Sequence, residues 1–311
     1  MKRRQFNKIL TSASSGIILS SAYSCVNLEP KKLNGISLAQ WSLHKMIKIE
    51  KTLNPIDFAQ KAKELGFNAI EYVSTLYRPE LENMTISKLT KKLIEYSKKY
   101  EVENLLIMVD DEGNLSSSDP NQIIESVEKH KRWVEMAYEL GCHSVRVNLE
   151  GEEDLEKWKV NSISGLTQLS EFASKSNINI IVENHGSHSS NGKALAQVIK
   201  DVNMENCGTL PDFGNFCMRR KNNSLYDGPC ELEYDKYQGM RDLMPYAKAV
   251  SAKSYDFSNE GEETTIDFKR IMDIIKEFKY KGFLGIEYEG NTLSEIEGIE
   301  LTKKLIQKYN Y

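Results

Sequence analysis

The chain has 311 residues, 40% of them hydrophobic, and a formal net charge of −4. That is enough apolar material for one large core, and α/β barrels of ~250 residues fold as a single domain. The acidic balance gives the molecule as a whole no electrostatic reason to seek nucleic acid.

Lys2, Arg3 and Arg4 precede an apolar, small-residue stretch from Ile9 to Ala22. It is too short for a stable membrane span and reads as a signal peptide. Arg3-Arg4-Gln5-Phe6-Asn7-Lys8 resembles a twin-arginine export signal. Ser21-Ala22-Tyr23-Ser24-Cys25 resembles a relaxed lipobox, with Cys25 as a lipidated first residue of the mature chain. Cleavage nearby without a lipid is the alternative. Residues 1–30 are therefore expected to be export signal and tether, and residues 31–311 the folded domain. The mature protein is expected in the periplasm or anchored to a membrane through Cys25.

From there short apolar runs alternate with amphipathic stretches. Gly35–Leu43 reads as a strand. Asn54-Pro55 opens a helix through Ala62 to Leu65, closed by Gly66. Ala69–Leu76 is the second strand, and Leu89–Tyr100 a helix with apolar residues three and four apart. Asn104–Asp110 is the third strand. Asp119-Pro120 starts a helix ending at Leu140-Gly141. His143–Leu149 is the fourth strand and Asp154–Lys175 holds a helix. Ile178–Glu183, the helix Lys193–Val202, and Gly208–Phe213 follow. A long loop, with the turn Tyr226-Asp227-Gly228-Pro229-Cys230 and the basic run Arg219-Arg220-Lys221, is a candidate lid. The helix Tyr237–Ala249, strand Ala249–Tyr255, helix Ile266–Phe278, strand Phe283–Tyr288 and closing helix Leu293–Tyr309 complete the chain. Strand-then-helix repeated about eight times predicts a parallel sheet closed as a single (β/α)8 TIM barrel. No Gly-x-Gly-x-x-Gly loop follows the first strand, which argues against a doubly wound sheet. Leu65-Gly66-Phe67, Leu140-Gly141-Cys142 and Lys281-Gly282-Phe283 look like one corner solution used three times.

The cysteines Cys142, Cys207, Cys217 and Cys230 form no Cys-x-x-Cys pair, so zinc-ribbon and thioredoxin readings fail. Cys142 and Cys207 are expected as buried thiols. Cys217 and Cys230 share the long loop, where an exported protein can bridge them; separate thiols are the favoured reading.

In such barrels the C-terminal strand ends make the site. Glu183 ends the fifth strand, Asp212 the sixth and Glu287 the eighth. Carboxylates converging there raise one another's pKa unless a cation neutralises them. A divalent metal resolves this, and oxygen ligation favours Mn²⁺ or Mg²⁺. The bland alternative is that these acids merely pair with Arg146 or Lys253. Trp41, Glu71, Arg146, Asn148 and Asn215, at or near strand ends, are candidate substrate contacts.

Val182-Glu183-Asn184-His185-Gly186, Pro211-Asp212-Phe213-Gly214-Asn215, Ala252-Lys253-Ser254-Tyr255-Asp256-Phe257 and Gly285-Ile286-Glu287-Tyr288-Glu289-Gly290 together resemble the sugar phosphate isomerase/epimerase superfamily, with its xylose isomerase-like barrel. The resemblance covers essentially the whole mature chain. It implies one metal held by Glu183, Asp212 and Glu287. The family's usual fourth ligand, a histidine two residues before the seventh-strand lysine, is Ser251 here. A second histidine found in ketose epimerases is Asn215. His185, two residues beyond Glu183, is a candidate replacement ligand or base. Lys253 either meets an enediolate oxygen or balances the acids.

The resemblance implies proton abstraction beside a carbonyl on a sugar or oxidised sugar, with Glu183 and Glu287 as candidate bases, alongside His185 and Lys253 as further catalytic candidates. Its outcomes are isomerisation or epimerisation; β-elimination of the aglycone from a 3-keto-glycoside is the alternative reaction. A barrel that binds sugar without chemistry is the alternative class. Export favours an unphosphorylated carbohydrate as partner. The superfamily also holds endonucleases acting at abasic sites through histidine-rich multi-zinc centres. Five histidines (His44, His130, His143, His185 and His188) and the acidic charge argue against that here.

Overall fold

The structure, a computed structural model, describes residues 33–221, 224–225 and 228–309. The expected export signal and Cys25 lie outside the described residues, as do Tyr226 and Asp227 of the long loop. Eight parallel strands alternate with helices among the described residues: β1 (Gly35–Ala39), β2 (Ala69–Val73), β3 (Glu103–Met108), β4 (Ser144–Val147), β5 (Asn179–Glu183), β6 (Cys207–Leu210), β9 (Val250–Ser254) and β10 (Phe283–Tyr288). Hydrogen-bonded neighbours run β6-β5-β4-β3-β2-β1-β10-β9. The ring closes between its two ends by parallel bridges Thr209–Ala247 and Asp212–Ser251. There Ser251 N donates to Pro211 O at 2.9 Å and Phe213 N to Ser251 O at 3.2 Å. The chain is a single (β/α)8 TIM barrel.

Side chains alternate across each strand. On β9, Val250 and Ala252 face the helices, as does Ser254, whose hydroxyl meets Thr302 at 2.6 Å. Ser251 and Lys253 therefore face inward. The parallel register sets Ser251 beside Gly285 and Lys253 beside Glu287. The interior so formed is unusually polar: Ser37, Glu71, Arg146, Glu183, Ser251, Lys253 and Glu287 are all buried. The apolar core lies instead between the strands and the helices, where each fully buried aliphatic or aromatic side chain contributes roughly 1.5–3 kcal/mol.

The outer layer comprises α1 (Phe58–Glu64), the short α2 (Arg78–Leu81), α3 (Ile86–Tyr100), α4 (Pro120–Leu140), α5 (Leu155–Ser174), α6 (Gly192–Val202), α7 (Lys236–Leu243), α8 (Phe268–Glu277) and α9 (Glu295–Tyr309). Side-chain caps start several of them: Thr85, Asp119, Asp154, Asn191, Asp235 and Asp267 each accept from a backbone N–H of the first turn. No helix among the described residues is long and apolar enough to cross a membrane.

The predicted strands are too long at their C-terminal ends. The first stops at Ala39 and becomes a 3-10 turn (Gln40–Leu43), then a π-helical turn (Lys45–Ile49). Gln40 forces this exit: its amide donates to Pro55 O and Tyr77 Oη and accepts from Val73 N, tying the first two strand ends together. The second strand gives way to a 3-10 turn at Ser74. Of the three corners, Gly66 (φ +74°) and Gly141 (φ +77°) share the left-handed cap. The third differs: Lys279 takes the left-handed conformation (φ +54°), and Gly282 leaves room for the Tyr280 ring.

The long loop holds an antiparallel hairpin that the sequence reading does not contain, β7 (Cys217–Arg220) and β8 (Cys230–Glu233). Its strands are four residues each and largely polar, so no apolar alternation announces them. Cys217 and Cys230 are disulfide-bonded, which corrects the favoured reading of separate thiols. The pairing of the two short strands, irregular in register, supplies the proximity that sequence separation alone did not. Cys142 and Cys207 are buried free thiols, as expected.

Candidate active site

Glu183, Asp212 and Glu287 converge at the C-terminal mouth, with one ligand oxygen of each within 4.8 Å of the others. Asp212 is the most constrained. Its Oδ1 accepts from Gly214 N and Asn215 N, both at 2.8 Å, and its Oδ2 from Ser251 Oγ at 2.7 Å. Asn184 fixes the backbone there, accepting from Asp212 N and donating to Asp212 O. Ser251 Oγ also lies 3.1 Å from Glu287 Oε2, so one hydroxyl proton is shared between two acids. Glu183 Oε1 accepts from Asn215 Nδ2 at 2.9 Å. Its Oε2 is 2.9 Å from Arg146 Nε but makes no hydrogen bond.

Burial pushes the Asp212 carboxyl up to about 8, against the pull of Lys253. Burial likewise raises Glu183 and Glu287, opposed by Arg146 and Lys253 respectively. Three buried acids and an oxygen without a hydrogen bond form a donor set that fits a hard divalent cation. Such an ion would supply the missing counter-charge and would be held by Glu183, Asp212 and Glu287.

A cavity of about 1040 Å³ opens above this floor. Trp41, Arg146, Asn148, His185, Asn215 and Glu287 line it, all of them expected there. Glu71 and Lys253 do not line it. Glu71 sits below, accepting from Ser37 Oγ at 2.6 Å, in a slot that Gly285 leaves open: a Cβ at 285 would lie 2.3 Å from Glu71 Oε1. Burial pushes its carboxyl up to about 8 despite the Ser37 bond. The expectation of Glu71 as a substrate contact thus gives way to a buried interior acid. Lys253, 1% exposed, donates at 2.8 Å to both Glu287 Oε1 and Glu289 Oε2. Of its two expected roles, this geometry supports the counter-ion. His185 is on the cavity wall but outside the convergent carboxylate cluster, and burial and Arg146 lower its pKa, keeping the ring neutral.

Among the lining residues that the sequence did not single out, Glu289 and Asp110 touch the expected site residues. Glu289 lines the wall, accepting from Trp41 Nε1 and Lys253 Nζ. Against the penalty of burial, Lys253 and Trp41 hold it down to about 2. It follows Glu287 by two positions, so strand alternation was a signal for it. Asp110 pairs with Arg146 and accepts from Asn148 Nδ2 at 2.8 Å; Arg146 opposes its burial and lowers its pKa. It ends the predicted third strand, where its position was available to find it. Arg220 of β7 also reaches the wall, with Nη1 donating to Gly228 O at 2.8 Å, so part of the candidate lid does border the cavity.

Residues 59–308 match the profile of the xylose isomerase-like TIM barrel family. A C-glycoside deglycosidase alpha subunit from Arthrobacter globiformis is 38% identical over 66 residues, 20% of this chain and 19% of that protein; the chain thus matches about a fifth of that relative's length. Solved structures with the same fold include a D-tagatose 3-epimerase-like protein (TM-score 0.64, 20% identity, 88% of this chain and 98% of that one). An IolI protein with a bound zinc atom superposes with a TM-score of 0.64 at 16% identity, over 88% and 97% of the two chains. A 3-keto-D-glucoside 4-epimerase from E. coli gives 0.60 at 13% identity, over 82% and 94%.

Proposed function

The chain belongs to the xylose isomerase-like TIM barrel family, and from that premise we propose that it is an enzyme of the sugar isomerase and epimerase kind, acting by proton transfer beside a carbonyl. The observation that carries this reading is the convergence of Glu183, Asp212 and Glu287 beneath a cavity lined by sugar-compatible polar groups. A divalent ion held by those three acids, Mn²⁺ or Mg²⁺ by the oxygen-only donor set, would polarise the substrate carbonyl. Ser251 stands where the superfamily's histidine is expected and supplies a hydroxyl to two of the three acids.

Glu287 is the member of the three on the cavity wall and takes the proton. Lys253 stabilises its ionised form from behind. Glu183, held by Arg146 and Asn215, is the second candidate base. Arg146, Asn148, Asn215 and ionised Glu289 bind sugar hydroxyls, and neutral His185 donates or accepts a proton at the leaving or carbonyl oxygen.

An oxidised glycoside is the substrate class favoured here. A 3-keto-D-glucoside epimerase shares the fold, and the 66-residue similarity is to a deglycosidase subunit. The second of these favours a second outcome at the same site. Loss of the C2 proton from a 3-keto-glycoside gives an enolate. The electron pair then forms the C1–C2 double bond as the C1–aglycone bond breaks, and the aglycone leaves with a proton.

Export, with Cys25 as a lipid tether, is part of the proposal; the Cys217–Cys230 disulfide supports an oxidising compartment. The test is incubation of a 3-keto-glucoside with the purified protein and Mn²⁺ in heavy water. Deuterium beside the carbonyl, abolished by Glu287→Gln in a protein of unchanged circular dichroism, is the expected result. No deuterium with any keto-sugar, metal present, overturns the reading and leaves a sugar-binding barrel.

A further inference from the structure

The end of the barrel opposite the cavity, where the strands begin, is divided by charge. The chain enters β1 there, with Asn34 N donating to Lys281 O at 2.8 Å, and β1 lies between β10 and β2 in the ring. The corners leading into those two neighbours, and the C-terminal half of α9, carry Lys63, Lys279, Lys281, Lys303 and Lys304. All are exposed except Lys303, which is partly so. The next corner, into β3, is balanced, with Glu101 and Glu103 against Lys98 and Lys99. Across the ring, the corners into β4, β5 and β6 carry Glu139, Glu171, Asp201 and Glu205 against Lys175 and Lys200.

The five lysines keep their charge unpaired. Lys63 Nζ donates to Asn68 Oδ1 at 2.9 Å, and Lys303 Nζ to Leu65 O at 3.2 Å and Gly66 O at 2.9 Å, all uncharged acceptors. Lys279, Lys281 and Lys304 form no ion pair among the described residues. Two acids of these segments are taken by other cations: Glu64 by Lys61 at 3.2 Å, and Glu277 by Arg241. Glu300 stands beside Lys303 without reversing the balance. A net positive patch thus persists on a chain of formal charge −4. The helix dipole favours lysines at every helix end, but it does not explain why acids outnumber them across the ring. The second observation is where the chain enters. Cys25 precedes Asn34 by nine positions, with Lys31 and Lys32 between them. At ~3.6 Å per residue, that stretch spans at most about 32 Å. A bilayer holding Cys25 lies within this reach of the start of β1, which the charged corners surround.

We infer that this lysine-bearing end is a docking surface for anionic phospholipid, seating the barrel with its cavity facing away from the bilayer. The inference rests on the reading of Cys25 as a lipid tether and adds an orientation to it. A tether limits distance and by itself sets no orientation. Attraction between the lysines and lipid phosphates selects one, and it acts only within about a Debye length of the surface. The strand ends that carry Glu183, Asp212 and Glu287 then open toward dissolved substrate.

The test uses the exported protein, purified with its N-terminus defined by mass spectrometry. It is mixed with phosphatidylcholine vesicles, with and without phosphatidylglycerol, and its amide hydrogen exchange is followed. Phosphatidylglycerol should slow exchange in the corners 65–68 and 279–283 and leave the mouth segment 48–53 unchanged. Lys279→Gln, Lys281→Gln and Lys304→Gln together, exposed changes that spare the core, should keep the melting transition and remove that protection. They should also weaken the phosphatidylglycerol-dependent binding by at least about tenfold. Protection of 48–53 instead, equal protection by phosphatidylcholine alone, or binding unchanged in the triple variant overturns the docking surface. If residue 25 carries a lipid in that case, the tether stands without it. Lysine-dependent binding by a protein whose N-terminus carries no lipid upholds the surface and overturns the tether. No lipid and no binding overturns both.

Discussion

The hydroxyl of Ser251 donates to Asp212 Oδ2 at 2.7 Å, at the bridge that closes the barrel between its sixth and seventh barrel strands. A residue that stands at an expected ligand position therefore stabilises the acid it faces. Ser251→Ala leaves that buried oxygen without its donor, at a cost of about 1–3 kcal/mol. Urea unfolding in EDTA should show the loss. Added Mn²⁺ should narrow the gap to wild type, because an ion on Asp212 replaces the missing partner. A gap that Mn²⁺ does not change argues that no ion binds there.

Arg146 stands between Asp110 and Glu183, 4% exposed. Removing it strands the buried Glu183 carboxylate and the partly buried Asp110, a class of change costing about 3–5 kcal/mol where the pair is buried. Arg146→Met should lose stability of that order at neutral pH. Adding Glu183→Gln should return part of it, since the second change removes one of the stranded charges. Strict additivity in the double-mutant cycle would mean that the pair is not coupled.

The barrel was legible because each helix–strand unit carries its own periodicity and caps, and because Glu183, Asp212 and Glu287 are charged residues at the ends of apolar runs. What was hidden is where side chains stop. Glu71 and Lys253 share an inward-facing pattern with Glu287, yet only Glu287 reaches the cavity. Depth along a strand depends on the stagger between strands and on the space Gly285 leaves, neither of which is local in sequence. The β7–β8 hairpin was hidden for a different reason: its stability comes from pairing and a covalent staple rather than from a buried face.

That staple leads to a local prediction. The hairpin forms its own two-stranded sheet outside the eight-stranded ring, so its order is separable from the barrel's. Closing a loop of this length constrains the unstapled ensemble by ~3 kcal/mol. Cys217→Ser with Cys230→Ser should leave the barrel's melting transition in place. It should weaken glycoside binding roughly fivefold, about 1 kcal/mol, if Arg220 loses its place on the wall. Unchanged affinity would remove Arg220 from the site.

Glu71 makes the pH dependence of stability testable at one residue. Its folded-state pKa of about 8 lies above the ordinary value of ~4.3 for an unfolded chain. Between those values the folded protein holds a proton that the unfolded chain has lost. Stability contributed by this group is therefore fully present below about pH 4 and is lost as pH rises toward 8. Glu71→Gln is neutral throughout and lacks this slope. Urea midpoints measured in EDTA from pH 5 to pH 9 should show the variant gaining on wild type up to about pH 8 and then running parallel to it. Asp212, also raised to about 8, titrates in both proteins and cancels in the difference. A difference that stays flat with pH would mean that Glu71 ionises normally when folded, and that the slot beside Gly285 is wet.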